Sequence, residues 1–320
     1  MRAIVVERAG GPEELQLREV AAPVPGPRDL LVSTAAIGVN FIETYQRSGV
    51  YAVPYPFIPG AEAAGTVLAV GSEVRGFAVG DRVTTAGARD TYADQFLVDA
   101  DLAVRVPDEL DLRVAAALPL QGATAHYLAN STAQLVPGDT VLVHAGAGGV
   151  GLLLTQLLAA RGVRVLTTAS SDDKRALSRD AGAAAVLDYV GCAEQVRELT
   201  AGEGVAAVFD GVGRDTFEAS LRALRVRGHL VLFGGASGQV PPFDLQRLNS
   251  GGSLTVTRPS LVHYMRTPEE RAWRYGELFD ALAAGALQVR IGAEFPLADA
   301  AAAHRALEGR ETTGKVLLQP

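Results

Sequence analysis

The 320-residue chain is nearly devoid of cysteine and of lysine. One cysteine, Cys192, excludes an intrachain disulfide and every zinc site that needs two or more thiolates. Zinc fingers, zinc ribbons and disulfide scaffolds are thereby removed. Of 29 basic residues only Lys174 and Lys315 are lysine, no Lys/Arg cluster occurs, and the formal net charge is −7. Non-specific nucleic-acid affinity comes mainly from basic side chains, so no nucleic-acid partner is expected. Long apolar runs are also missing. The longest, 141–154, is broken by His144 and by glycines and falls short of the ~20 residues that span a bilayer. The opening MRAIVVERAGG carries charge at positions 2, 7 and 8 and has no apolar core of a secretory signal. No membrane partner and a cytoplasmic location are the resulting expectations.

What is present is a folded composition, 48% hydrophobic and 20% charged. The length predicts two domains at roughly 100–200 residues each. Glycine, 35 residues, exceeds the average share of roughly 7% and points to tight turns and close backbone approaches. Up to residue 120 the chain reads as short strands broken by Gly and Pro: AIVVE, LQLREV, LLVSTAAIGV, AAGTVLAV, DRVTT, YADQFLV and LAVRV. From about 123, six strand-like runs alternate with helical ones: TVLVHA, VRVLTTAS, AAVLD, VAAVFDG, GHLVLFG and SLTVTR. Parallel strands need crossover helices, so this alternation predicts a doubly wound parallel sheet of the Rossmann type in an α/β protein. Residues 260–320 are too few for a third domain and end in the strand-like KVLLQP. They are expected to return to the first domain, which gives 1–122 with 260–320 and a dinucleotide-binding domain over 123–259.

Between the strand 141–143 and the helical LLLTQLLAARG lies H-A-G-A-G-G-V-G. Gly146, Gly148 and Gly151 satisfy G-x-G-x-x-G in its required context, with Gly149 and Val150 between them. Missing Cβ atoms let backbone approach a pyrophosphate, and the helix N-terminus supplies N–H groups and partial positive charge. A glycine-rich turn packed for its own sake is the competing reading. An NAD site places Asp or Glu near the end of the second strand. Here that strand ends in Thr167, Thr168, Ala169, Ser170 and Ser171, while Asp172 and Asp173 read as first-turn residues after an N-capping Ser171. Hydroxyls such as that of Ser170, together with the Lys174 ammonium, suit a 2′-phosphate, so NADPH is the expected cofactor. Lys315, in T-G-K-V, is a further candidate for cofactor contact. Cys192 sits at a predicted helix start and reads as inert.

GVNFIETYQRSGVY at 38–51, IPGAEAAGTV at 58–67, HAGAGGVG at 144–151, FDGVGRDTFEASL at 209–221 and SLTVTRPSL at 253–261 resemble the zinc-free quinone oxidoreductases, the zeta-crystallin-like branch of the medium-chain dehydrogenase/reductase superfamily. The resemblance runs over essentially the whole chain. It implies a GroES-like β-rich catalytic domain beside the Rossmann domain, and a homodimer joined through sheet edges. Where zinc-dependent relatives carry a cysteine and a histidine, this sequence has Asn40 and Ala61, and Glu62 alone cannot hold a metal; no metal site is expected. Without a Lewis acid the substrate must supply its own electrophilicity. Quinones and α,β-unsaturated carbonyls both do so.

The resemblance places Asn40 and Tyr45 beside the nicotinamide, and an amide and a phenol in a Gly/Asn-rich loop can donate to an oxyanion. Tyr51 stands where related enoyl reductases carry a proton-donating tyrosine, or belongs to a packed turn. Thr124 is expected at the domain junction, touching the nicotinamide or capping a helix. Tyr189 is implied at the adenosine 2′-phosphate. Phe233 and Gly234 follow the fifth strand and Arg258 the sixth, at the ligand-binding carboxyl edge, although Arg258 has a structural ion pair as its alternative. The leading expectation is an NADPH-dependent quinone reductase with direct hydride transfer. An NADPH-dependent enone or 2-alkenal reductase is the alternative, and a non-catalytic NADPH-binding sensor or RNA-associated protein is the alternative of another class.

Overall fold

The computed structural model describes all residues, 1–320, and divides into two compact units: Met1–Leu120 with Val289–Pro320, and Gln121–Gln288. In the second unit all six expected strands form one parallel sheet. Its order is Ala185–Leu187, Arg164–Thr168, Thr140–Val143, Val205–Asp210, Leu224–Leu232, Thr255–Thr257, which in chain sequence is 3-2-1-4-5-6. That is the doubly wound order, with its reversal between Thr140–Val143 and Val205–Asp210. The central strands Thr140–Val143 and Val205–Asp210 are nearly continuous apolar runs because both faces are covered, whereas the edge strand Thr255–Thr257 has no buried residue. Leu142, Leu166, Val208 and Leu230 are completely buried among Val196, Phe217 and Leu221 from the helices.

In the first unit a seven-stranded, mostly antiparallel sheet is built around the long strand Asp29–Val39, which pairs with Ala63–Val70, Gln95–Asp99 and Lys315–Gln319. The expected C-terminal return is thus a strand, with Val316 opposite Val39 and Leu318 opposite Ile37. Ile4, Leu30, Val32, Ile37, Phe96 and Leu318 form the core of this unit.

Two expectations need correction. Residues 260–288 pack with the second unit, not the first. Arg274, on helix Pro268–Ala283, is buried there and bonds to His126 Nδ1 at 3.0 Å and Ser131 Oγ at 3.2 Å, while Tyr264 stacks on Tyr127 at 4.5 Å. Secondly, the Gly/Asn-rich loop expected around Asn40 and Tyr45 is the helix Phe41–Arg47. Asn40 is its N-cap residue, and a carboxyl oxygen of Glu43, Oε2, reaches back to accept from the Asn40 N–H at 2.7 Å. No helix is long and apolar enough to cross a membrane.

Candidate active site

The nucleotide side is built along the ends of the parallel strands of the second unit. After Thr140–Val143 the chain turns through Ala145–Gly148 and enters the helix Gly149–Ala160, capped by Gly148. The first backbone bond of this helix runs from Leu152 N to Gly148 O at 2.9 Å. The N–H groups of Gly149, Val150 and Gly151 precede it and have no carbonyl one turn back. Glycine is demanded sterically at two positions. A Cβ on Gly146 would lie 2.6 Å from Thr167 Cβ, and one on Gly151 would overlap the Ala145 carbonyl oxygen and lie 3.0 Å from Gly146 Cα; at Gly149 the only obstacle is the end of the Gln121 side chain, which can turn away. The cradle therefore fits a pyrophosphate: close helix–strand packing sets a helix N-terminus, whose first N–H groups have no helical partner, directly after the glycine turn.

At the next strand end Ser170 is exposed and Ser171 caps the helix Asp172–Asp180, its Oγ accepting from Lys174 N at 3.4 Å. Asp172 and Asp173 occupy the first turn, as the sequence predicts, and leave the strand end with hydroxyls and Lys174. Tyr189 is half-buried beyond Ala185–Leu187, its ring stacked on His144 with centroids 6.1 Å apart. Phe233 and Gly234 fold back over the end of Val205–Asp210, their N–H groups donating to Asp210 O at 2.9 and 3.3 Å. Arg258 is exposed and donates to the Leu232 carbonyl at 3.1 Å, so its structural alternative is a backbone bond rather than an ion pair. Thr124 is buried in the second turn of helix Pro119–Ser131 and does not cap it, because that helix begins five residues earlier. Burial pushes the Cys192 thiol up to about 11, which leaves it unreactive near neutral pH.

In the first unit the helix Phe41–Arg47 brings two of the expected residues together. The rings of Tyr45 and Tyr51 lie 5.3 Å apart, and Tyr51 N donates to Tyr45 O at 3.0 Å. Tyr45 is half-buried and Tyr51 exposed.

Asn40 has a different setting. Its Nδ2 donates to Glu62 Oε2 at 2.8 Å and, more weakly, to Gly38 O at 3.5 Å, while its Oδ1 accepts from Lys315 Nζ at 2.7 Å. Both ends of the amide are engaged, which corrects the expectation that it donates to an oxyanion. Lys315 is also reassigned. Expected at the cofactor, it is fully buried in the first unit, and its ammonium is paired with the Glu62 carboxylate as well as with Asn40. Glu62 Oε1 accepts from Leu120 N at 2.7 Å. Gly38 is required here, because any Cβ would overlap Glu62. An ammonium thus faces Asn40 and Glu62.

Glu43 completes the cluster. It is almost fully buried, its Oε1 has no partner, and its pKa is pushed up to about 8 by burial against the lowering effect of Lys315. Relative to the ordinary 4.5, this raised value makes the neutral carboxyl stabilising. That contribution is complete below about pH 4.5 and is lost as pH rises through about 8, at up to roughly 1.4 kcal/mol per pH unit. Glu43→Gln should remain neutral. The thermal midpoint of the wild-type chain should therefore fall relative to the variant between about pH 5 and pH 8.5, and parallel profiles would contradict a protonated Glu43.

Comparison with known proteins agrees with both halves of this arrangement. Residues 26–140 match the alcohol dehydrogenase GroES-like domain and residues 149–274 the zinc-binding dehydrogenase domain. A quinone oxidoreductase of Pseudomonas aeruginosa is 45% identical, with 97% of each chain covered. The chain belongs to the quinone oxidoreductases of the medium-chain dehydrogenase/reductase superfamily. Within this superfamily a 2-haloacrylate reductase of a Burkholderia species is 39% identical, covering 99% of this chain and 98% of its own. Among solved structures, the Escherichia coli quinone oxidoreductase complexed with NADPH superposes with a TM-score of 0.98 at 41% identity over the full length of both chains. A mycobacterial protein complexed with NADPH gives 0.98 at 53% identity, again over both full lengths.

Sequence reasoning missed Glu43 and the partners of Glu62. Asn40 followed three residues later by Glu43 is a helix-start signal that would have found the first. The Glu62–Lys315 pair spans 253 residues and leaves no local signal.

Proposed function

We propose that this chain is an NADPH-dependent quinone reductase working by direct, metal-free hydride transfer. The observation that carries the reading is the run of N–H groups without helical partners at Gly149, Val150 and Gly151, packed against the strand end through the sterically required Gly146 and Gly151. When bound, NADPH supplies a hydride from its nicotinamide. The cradle N–H groups take the pyrophosphate, while Ser170, Lys174 and Tyr189 take the 2′-phosphate end. Phe233, Gly234, Arg258 and Thr124 complete the nucleotide side. Tyr45 and Tyr51 supply neutral hydroxyl donors to the oxyanion that forms as the acceptor is reduced. A quinone needs little more, because its product is aromatic. The names of the relatives support this substrate class.

Steady-state oxidation of NADPH and NADH against ortho- and para-quinones, alkenals and enoyl thioesters tests the reading. Quinones with NADPH should give the highest kcat/KM; a tenfold preference for NADH would overturn the role of Lys174. A charge-assisted bond to phosphate contributes about 1.5–3 kcal/mol. Lys174→Ala should accordingly lower kcat/KM for NADPH by roughly 10–100-fold and leave that for NADH nearly unchanged.

A second reading, an enone reductase, is favoured by Tyr51, which is 38% exposed beside Tyr45, and by the haloacrylate-reducing relative. Protonating the enolate carbon needs a general acid, worth typically 10²–10⁴-fold. If Tyr51 has that role, Tyr51→Phe loses enone reduction about 100-fold and quinone reduction far less; equal losses remove it. We further propose a cytoplasmic homodimer joined through sheet edges, for which the edge strand Thr255–Thr257 offers unpaired backbone groups. Sedimentation should then read two chain masses.

A further inference from the structure

Ala145 in the cradle turn has φ +54°, a left-handed conformation in which the Cβ of a non-glycine residue crowds the following carbonyl oxygen. Such a residue persists only where its surroundings over-determine it. Thr168, the last residue of Arg164–Thr168, provides the hold: its Oγ1 accepts from Ala145 N at 3.2 Å and its carbonyl from Gly146 N at 2.9 Å. The Thr168 hydroxyl lies 3.1 Å from His144 Nδ1, and His144 Nε2 lies 3.0 Å from Ser220 Oγ. Ser220 donates to Asp210 Oδ2 at 2.7 Å. All four side chains are buried.

The direction of every bond follows from the carboxylate. Asp210 only accepts, taking the N–H groups of Val212 and Gly213 at 2.8 and 2.9 Å and the hydroxyls of Thr216 and Ser220. The single Ser220 proton is therefore committed to Asp210, and Ser220 Oγ must accept from His144 Nε2–H. Burial holds the imidazole neutral, its pKa lowered, so Nδ1 is bare and accepts from Thr168. Thr168 Oγ1 is left with its lone pairs for Ala145 N–H. The chain runs one way, from the cradle to Asp210, across the ends of three adjacent strands.

We propose that Asp210, Ser220 and His144 are positioning residues that, through Thr168, fix the strained cradle turn and so set the affinity for the nucleotide. The affinity part rests on the NADPH-binding reading above. His144 also presents its ring to Tyr189, so the two hydrogen bonds that hold the imidazole fix the plane against which that tyrosine stacks.

Nitrogen-15 NMR of the full chain labelled at histidine, without nucleotide, should show His144 neutral with its proton on Nε2 at pH 7. A proton on Nδ1, or an imidazolium, overturns the chain. In Asp210→Asn the amide can donate to Ser220, whose proton then turns to His144 Nε2, so the histidine proton should move to Nδ1; an unchanged tautomer overturns the link. By fluorescence titration Thr168→Val should raise the Kd for NADPH at least tenfold and Thr168→Ser should restore it to within about threefold of wild type. Wild-type affinity in Thr168→Val overturns the positioning role. Failure of the wild-type chain to bind NADPH would instead sink the functional reading, and the tautomer would still decide the hydrogen-bond chain.

Discussion

Glu62→Ala should lower the free energy of unfolding by about 3–5 kcal/mol, the cost of leaving a buried charge without its partner. The charge is the Lys315 ammonium, fully buried, with Asn40 Oδ1 as its other ligand. The same substitution strips acceptors from Asn40 Nδ2 and Leu120 N. Adding Lys315→Met to Glu62→Ala removes the stranded charge, so the double variant should be more stable than the single one although it makes fewer bonds. Urea unfolding of the three chains measures this. A cost below about 1 kcal/mol for Glu62→Ala would mean that water reaches the ammonium and that the pair is not sealed.

Gly151→Ala should weaken NADPH binding by roughly 10–100-fold while leaving the fold intact. The added Cβ meets backbone, the Ala145 carbonyl oxygen and Gly146 Cα, so no side chain can swing aside to relieve it. Overpacking of this kind costs about 1–3 kcal/mol. The helix start and the turn must separate, and separation spoils the convergence of the N–H groups at 149–151. Gly138→Ala is the informative control, because nothing lies within 4 Å of the Cβ position there although φ is +92°. It carries the backbone strain of a lost glycine without touching the cradle, so it should reduce stability and leave the Kd for NADPH unchanged. Equal nucleotide affinity in wild type and Gly151→Ala would remove the steric account of the cradle.

What could be read from the chain in advance follows from how local the cause is. The parallel strands were legible because burial on both faces writes the inner ones as short apolar runs, as in Val205–Asp210, where every residue is buried, and because helical stretches separate each from the next. The cradle and the Ser171 cap were legible because their chemistry is complete within a few residues. Helix Phe41–Arg47 was not, since seven largely polar residues carry little periodicity and only its Asn40/Glu43 start pattern marks it. The roles of Asn40 and Lys315 depended on partners far along the chain. A lysine beside a glycine near a strand looks the same whether it meets a phosphate or a buried carboxylate. Likewise the division near residue 260 was misplaced because helix Pro268–Ala283 shows its allegiance only through Arg274 and its contact with His126.

The interrupted course of the first unit has a consequence for biosynthesis. Residues 121–288 form a continuous stretch able to fold as soon as it has been made, whereas the sheet around Asp29–Val39 waits for Lys315–Gln319. Until then Glu62 has no ammonium to pair with, and the earlier-made part of the chain is the later to mature. A nascent chain halted before residue 315 should carry a finished nucleotide fold beside an unfinished partner. Protease sensitivity during synthesis would be concentrated in the first 120 residues.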